Sequence, residues 1–164
     1  MDFAEVAQRL EVHDLYTAYS ACLDSDALER WPEFFTEDCR YRITSAENYE
    51  AGMPLGLIYA TSKNMLHDRV SALRDANIYE PQRYRHIVSG ISITSERDGA
   101  LDTEASFVVV RTMQDGAMTL FASGRYIDRV VRGDATGGET GWRFARKDVV
   151  LDSRQIDTLL AIPL

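Results

Sequence analysis

The apolar residues of this chain repeat on two different periods, and the change falls at one place. From Phe3 to Leu23 they recur every three or four positions, whereas from Gln82 onward they alternate. A period near 3.6 buries one stripe of a helix, and a period of two buries one face of a strand. Helices followed by a run of long strands point to an α+β layout, with the helices packed on a curved antiparallel sheet. Four strands are predicted at roughly 83–95, 101–113, 117–132 and 142–152, with a turn signal at Asp115-Gly116 between the second and third. At Ser89-Gly90 the apolar parity slips from Tyr84, His86 and Val88 to Ile91 and Ile93. A one-residue slip at a glycine predicts a β-bulge, which bends a sheet.

The helical part has its own punctuation. Phe3, Val6, Ala7 and Leu10 begin a stripe that Val12, Leu15, Tyr16, Tyr19, Cys22 and Leu23 continue, with Asp2 as the N-cap. Asp24-Ser25-Asp26 breaks this helix, and Asp26 and Glu29 stand at capping-box spacing for a second one that Pro32 keeps short. Leu28, Trp31, Phe34 and Phe35 form an aromatic cluster, and such clusters more often plug a core than bind a ligand. Asp38 to Ile43 alternates as a strand does. Thr44 to Ala60 reads as loop with a short strand at its end, and Thr61 caps a third helix carrying Met65, Leu66, Val70 and Leu73, with Arg69 along the edge of that face. A bent sheet wrapped over these helices makes a cone, either open as a pocket or filled by side chains.

Composition bounds the rest. With 164 residues, 45% apolar, and no dividing linker, one domain over 1–164 is expected. No apolar run approaches the ~20 residues of a membrane helix, and Met1 to Glu5 lack the features of a secretory signal, so a cytoplasmic chain is expected. Eighteen basic against 26 acidic residues leave a net charge of −8, which argues against a nucleic-acid partner. Cys22 and Cys39 have neither a second Cys nor a His at ligand spacing, and His13, His67 and His86 stand singly. No iron–sulfur, zinc or other local metal motif can be read from such spacing.

Two groups of residues could carry chemistry or contacts. His86, at the start of the long strands, faces the same way as Tyr84, and Asp24 at the end of the first helix could orient it or act as a base. Arg40, Arg42, Arg83, Arg85, Arg111, Arg125, Arg129, Arg143 and Arg146 all fall on predicted strands. Arginine suits bidentate pairing with carboxylates, first within the chain, then across a subunit interface, then with a ligand. No nucleophile elbow, Walker sequence or dinucleotide fingerprint occurs.

Several stretches resemble the small (β) subunit of aromatic-ring-hydroxylating dioxygenases. These are Leu23-Asp24-Ser25-Asp26, Trp31-Pro32-Glu33-Phe34-Phe35, Cys39-Arg40-Tyr41-Arg42, Met65 to Arg74, Arg83 to Ile87, Phe121 to Tyr126 and Asp157 to Leu164. Within that family the chain looks most like small subunits of oxygenases acting on terephthalate, then on salicylate. The resemblance implies a cystatin-like, nuclear-transport-factor-like cone. It also implies a non-catalytic structural subunit in a trimer of heterodimers, with no catalytic, cofactor-binding or metal-ligating residue of its own. The Rieske [2Fe-2S] cluster and mononuclear Fe(II) would then belong to the large (α) subunit, fed from NAD(P)H by a reductase. Arg83, Arg85, Arg125, Leu159, Leu160, Ile162 and Leu164 are the expected interface residues, because an apolar tail is costly to leave in water. The same cone also houses stand-alone dehydratases and cyclases. On that alternative Asp24 and His86 match a pocket aspartate and histidine, and Tyr41 would supply a hydroxyl.

Overall fold

A computed structural model describes residues 2–54, 56–76, 80–133, 141–155, 160 and 162–164. Helix α1 runs from Phe3 to Asp24, and Asp2 and Glu5 close a reciprocal capping box at its start, with main-chain-to-carboxylate distances of 2.8 and 2.9 Å. Its end is a Schellman turn. Asp26 adopts φ +58°, its N–H bonds Leu23 O, and the Ala27 N–H reaches back to Cys22 O. Aspartate tolerates this left-handed conformation better than most residues. A 3-10 helix, Leu28–Phe34, follows without a side-chain cap. The capping box expected from Asp26 and Glu29 is therefore absent. Both carboxylates instead hold Arg74, at 2.9 and 2.7 Å.

Strand β1 (Phe35–Ser45) leads to a short helix α2 (Ala46–Glu50), strand β2 (Ile58–Ala60) and helix α3 (Lys63–Asp75). Ser62 caps α3 in place of the expected Thr61. Strands β3 (Gln82–Arg97), β4 (Ala100–Met113), β5 (Met118–Arg132) and β6 (Trp142–Leu151) complete a sheet in the order β2-β1-β6-β5-β4-β3. Consecutive strands from β3 to β6 pair antiparallel, the β3–β4 and β4–β5 pairs across short turns at Asp98-Gly99 and Asp115-Gly116. The exception is β1, which lies parallel to β6, so the sheet is mixed. A strand that arrives from the helical segment has no hairpin to fix its direction, and here it enters beside the last strand.

The predicted bulge is present. The β3–β4 register shifts between Ser89 and Ser92, where Gly90 has φ +63°. Further shifts occur opposite Phe121 on β5 and Ala145 on β6. At Gly124 the strands β5 and β6 approach so closely that a Cβ would strike the Val150 carbonyl, which requires glycine.

The inner face of the sheet and the helices enclose one core. Leu15, Tyr16, Tyr19, Trp31, Phe35, Tyr41, Phe107, Tyr126 and Phe144 are all buried there, and burying each large side chain contributes about 1.5–3 kcal/mol. The aromatic cluster on the 3-10 helix is part of this core. The stripe on α1 is buried only from Val12 onward. Phe3, Val6 and Leu10 are 89%, 39% and 59% exposed, because among the described residues nothing packs over the first turns of the helix.

Candidate functional site: the interior of the cone

Asp24 and His86 do meet. The Asp24 carboxylate lies 2.6 Å from Nδ1 of His86 and also accepts the His86 main-chain N–H at 3.0 and 3.1 Å. Strand β3 is an edge of the sheet, so its outward N–H groups need partners. Asp24 supplies one at the point where α1 ends, and thus fastens helix to edge strand while orienting the ring. With Nδ1 turned to the carboxylate, Nε2 points away from it into the interior. It is buried and makes no hydrogen bond among the described residues. Arg85 stands 3.9 Å from the same carboxylate and is largely exposed.

Tyr41 is engaged elsewhere. Its ring packs edge-on against Trp31 and Phe35, its hydroxyl donates to Leu164 O at 3.0 Å, and it accepts the Leu164 N–H at 3.1 Å. Tyr19 donates to the same oxygen at 2.8 Å, and Trp31 Nε1 donates to Tyr19. Leu164 and Ile162 are 0% and 5% exposed within this chain, and Leu160, partly buried, accepts from Arg69 through its carbonyl at 3.3 Å. The tail therefore enters the cone of its own chain, where two tyrosine hydroxyls bind its main chain. Leu159 lies outside the described residues.

Deeper inside is a pair that the alternation of the sequence does not reveal. Asp128 on β5 and Lys147 on β6 are direct cross-strand partners, 2.8 Å apart, and neither side chain has any exposed surface. Tyr16 donates to the same carboxylate oxygen at 2.6 Å and is 2.9 Å from the Thr103 hydroxyl. Four rings surround the Lys147 ammonium, those of Tyr126, Phe144, Tyr19 and Tyr16, at 3.7, 4.2, 4.6 and 5.0 Å to their centres. Ring faces attract a cation, more strongly away from water. Burial lowers the affinity of Lys147 for its proton and raises that of Asp128, and each partner opposes the shift of the other. A lysine of this kind could serve as a base or nucleophile if substrate reached it. Here its surroundings are filled by side chains, so it holds the core together.

The outer face of the sheet sorts the arginines. Arg42, Arg40 and Arg146 surround Asp148 at 2.9, 3.5 and 3.6 Å, while Arg129 and Arg97 approach Asp102 at 2.9 and 3.7 Å. Arg83, Arg85 and Arg125 point to solvent, and Arg83 and Arg125 form no ion pair among the described residues. Both cysteines are free and buried, and burial pushes the Cys39 thiol up to about 11. Among the described residues, no three His, Cys, Asp or Glu side chains converge as metal ligands, and no helix is long and apolar enough to cross a membrane.

Comparison with known proteins gives this architecture a family. Residues 20–158 match the family described as the ring hydroxylating beta subunit. The chain belongs to this family. It is 46% identical over 154 residues to the anthranilate 1,2-dioxygenase small subunit of Burkholderia cepacia, covering 94% of this chain and 92% of that one. It is 42% identical to a beta subunit of the terephthalate 1,2-dioxygenase terminal oxygenase component from a Comamonas species, covering 94% and 97%. A solved beta subunit of a candidate aromatic-ring-hydroxylating dioxygenase from Novosphingobium aromaticivorans superposes with a TM-score of 0.84 at 38% identity, covering 99% and 100%. A candidate scytalone dehydratase from that organism shares the fold alone, with a TM-score of 0.65 at 17% identity over 92% and 88%. The cone expected from the sequence is thus the fold of the ring hydroxylating beta subunits, and the chain is a small subunit of an aromatic-ring-hydroxylating dioxygenase.

Proposed function

We propose that this chain is the cofactor-free structural subunit of a cytoplasmic Rieske non-haem iron oxygenase that dihydroxylates an aromatic carboxylic acid. The large subunit would carry the Rieske cluster and the mononuclear Fe(II), and would receive electrons from NAD(P)H through a reductase. The assembly would be a trimer of heterodimers. The observation that carries the reading is the 46% identity, over nearly the whole chain, to a protein named as a dioxygenase small subunit. The interior agrees with it. The Lys147 ammonium and the Tyr19 and Tyr41 hydroxyls all have partners inside the chain.

Terephthalate and anthranilate, the acids named for two relatives, share a ring carboxylate. Terephthalate is the first substrate to try, then anthranilate and salicylate. The test is co-expression with a large subunit, mass determination of the complex and oxygen uptake with each acid. A mixed oligomer that consumes oxygen only when both chains are present is expected. A chain that forms no mixed oligomer would overturn the reading. The 2.6 Å contact of Asp24 with His86 supports one other reading, a stand-alone dehydratase or cyclase. In that case the purified chain would convert a cyclic ketone and lose that activity in His86→Ala.

A further inference from the structure

We infer that the outer face of β3, β4 and β5, at the end nearest the β4–β5 turn, is the docking surface for the large subunit, and that the partner presents there an apolar ridge flanked by carboxylates. The inference rests on the proposed function and adds to it the place of contact.

Register and alternation assemble this surface. Tyr84 and His86 face inward, so Arg83, Arg85 and Ile87 face outward on β3. Arg83 stands in line with Thr112 and Met118, Arg85 with Val110 and Leu120, and Ile87 with Val108 and Ser123. Ser89, Ser106 and Arg125 form the next row. Met118, Leu120 and Ile87 are 73%, 70% and 55% exposed, and neighbouring strands lie only about 4.8 Å apart, so they form one patch. An exposed contiguous apolar patch on a soluble protein marks a contact site.

Charge decides the occupant. On the other half of this face the guanidiniums are neutralised by Asp148 and Asp102. Around the patch, Arg83 and Arg125 have no carboxylate among the described residues, and Arg85 has only the 3.9 Å approach to Asp24. A chain with a net charge of −8 thus keeps, beside its most exposed apolar strand residues, three arginines that no close carboxylate among the described residues neutralises. The carboxylates nearest the patch, Asp152 held by Ser123 at 3.0 Å and Asp115 in the β4–β5 turn, stand at its edge. Two copies meeting patch to patch about a two-fold axis would bury arginine against arginine. A different chain with acidic residues around an apolar ridge satisfies both features. A second exposed apolar set, Phe3, Val6 and Leu10 on α1, has Asp2, Glu5 and Arg9 beside it and no single sign of charge, and a third, Met53, Leu57 and Tyr59, lies around β2 at the opposite edge of the sheet.

The experiment measures binding of the full chain to the purified large subunit by analytical ultracentrifugation. Met118→Asp and Leu120→Asp should each weaken association at least tenfold, and together should abolish the mixed oligomer. The double variant should keep the thermal midpoint of the isolated chain, because both side chains are exposed. Arg83→Glu with Arg125→Glu should weaken association about tenfold and reduce its dependence on salt. Phe3→Asp, outside the patch, should bind as the parent does. Wild-type affinity in the Met118/Leu120 double variant would overturn the assignment of this face while leaving the proposed function intact. So would a homo-oligomer of the chain alone that Leu120→Asp dissolves, since the occupant would then be a second copy. Failure of the parent chain to bind any large subunit would overturn both.

Discussion

The cone holds two acidic side chains against basic ones, and they are built on opposite terms. Asp128 and Lys147 sit on neighbouring strands, fully buried, with a tyrosine hydroxyl and four aromatic rings around them. Asp24 and His86 join a helix end to an edge strand, and half of what Asp24 does is to accept a main-chain N–H. The first pair depends on side chains whose positions the sheet register fixes. The second depends on where one helix stops. A buried ion pair contributes little net stability, since desolvation offsets attraction, yet breaking it on one side is costly. The clasp between helix end and edge strand has a smaller penalty attached, because its carboxylate keeps 8% of its surface exposed and shares its hydrogen bonds with a main-chain N–H.

This contrast can be broken. Lys147→Met leaves Asp128 buried without its cation and should cost about 3–5 kcal/mol in urea unfolding. Combining it with Asp128→Leu should recover most of that loss. A single variant losing less than about 1 kcal/mol would mean the pair is not the buried arrangement described. Leu164→Ala tests how far the tail belongs to the same core, and about 2–5 kcal/mol is expected from the cavity it opens beside Tyr19 and Tyr41. Asp24→Asn should cost about 1–3 kcal/mol and should speed hydrogen exchange at His86 far more than at the centre of β5. Uniform acceleration across both strands would deny the local clasp.

The smallest effect lies on the outer face and shows in pH. The Ser95 hydroxyl, then the Arg129 guanidinium, hold the Asp102 carboxyl below its ordinary range. A carboxylate depressed in the folded state stabilises above its unfolded value, near 3.9, and that contribution fades as pH falls through the lower folded value. Asp102→Asn should therefore lower stability at pH 7 by less than about 1 kcal/mol and flatten the acid limb of the stability profile.

The two pairs also differ in how legible they are. Asp24 and His86 each stand at a boundary that helix-breaking residues and a change of period reveal, so their meeting follows from topology. Lys147 is concealed by a bulge. Phe144 and Lys147 are three apart yet both face inward, because Ala145 is an extra residue in the β5–β6 register. Counting by twos from Phe144 turns Lys147 toward solvent. By contrast the bulge at Ser89-Gly90 carries a glycine and could be read. The α1 stripe fails in the other direction. Periodicity gives the apolar face of a helix but not the length of what covers it, and Phe3, Val6 and Leu10 are left bare. Nor does sequence alone tell which arginines find Asp148 or Asp102, since that follows from which strands are neighbours.

The tail in the cone has a consequence for the chain as it is made. Tyr19 donates to a residue 145 positions further on, and Phe35 on β1 pairs in parallel with Phe144 on β6. At roughly 5–20 residues per second on the ribosome, the aromatic face of α1 waits about 7–30 seconds before Leu164 exists to cover it. Through that interval the nascent chain carries an uncovered core. Folding is thus obliged to be a late event, and any early-terminated product of this reading frame is a substrate for chaperones and proteases rather than a smaller working subunit.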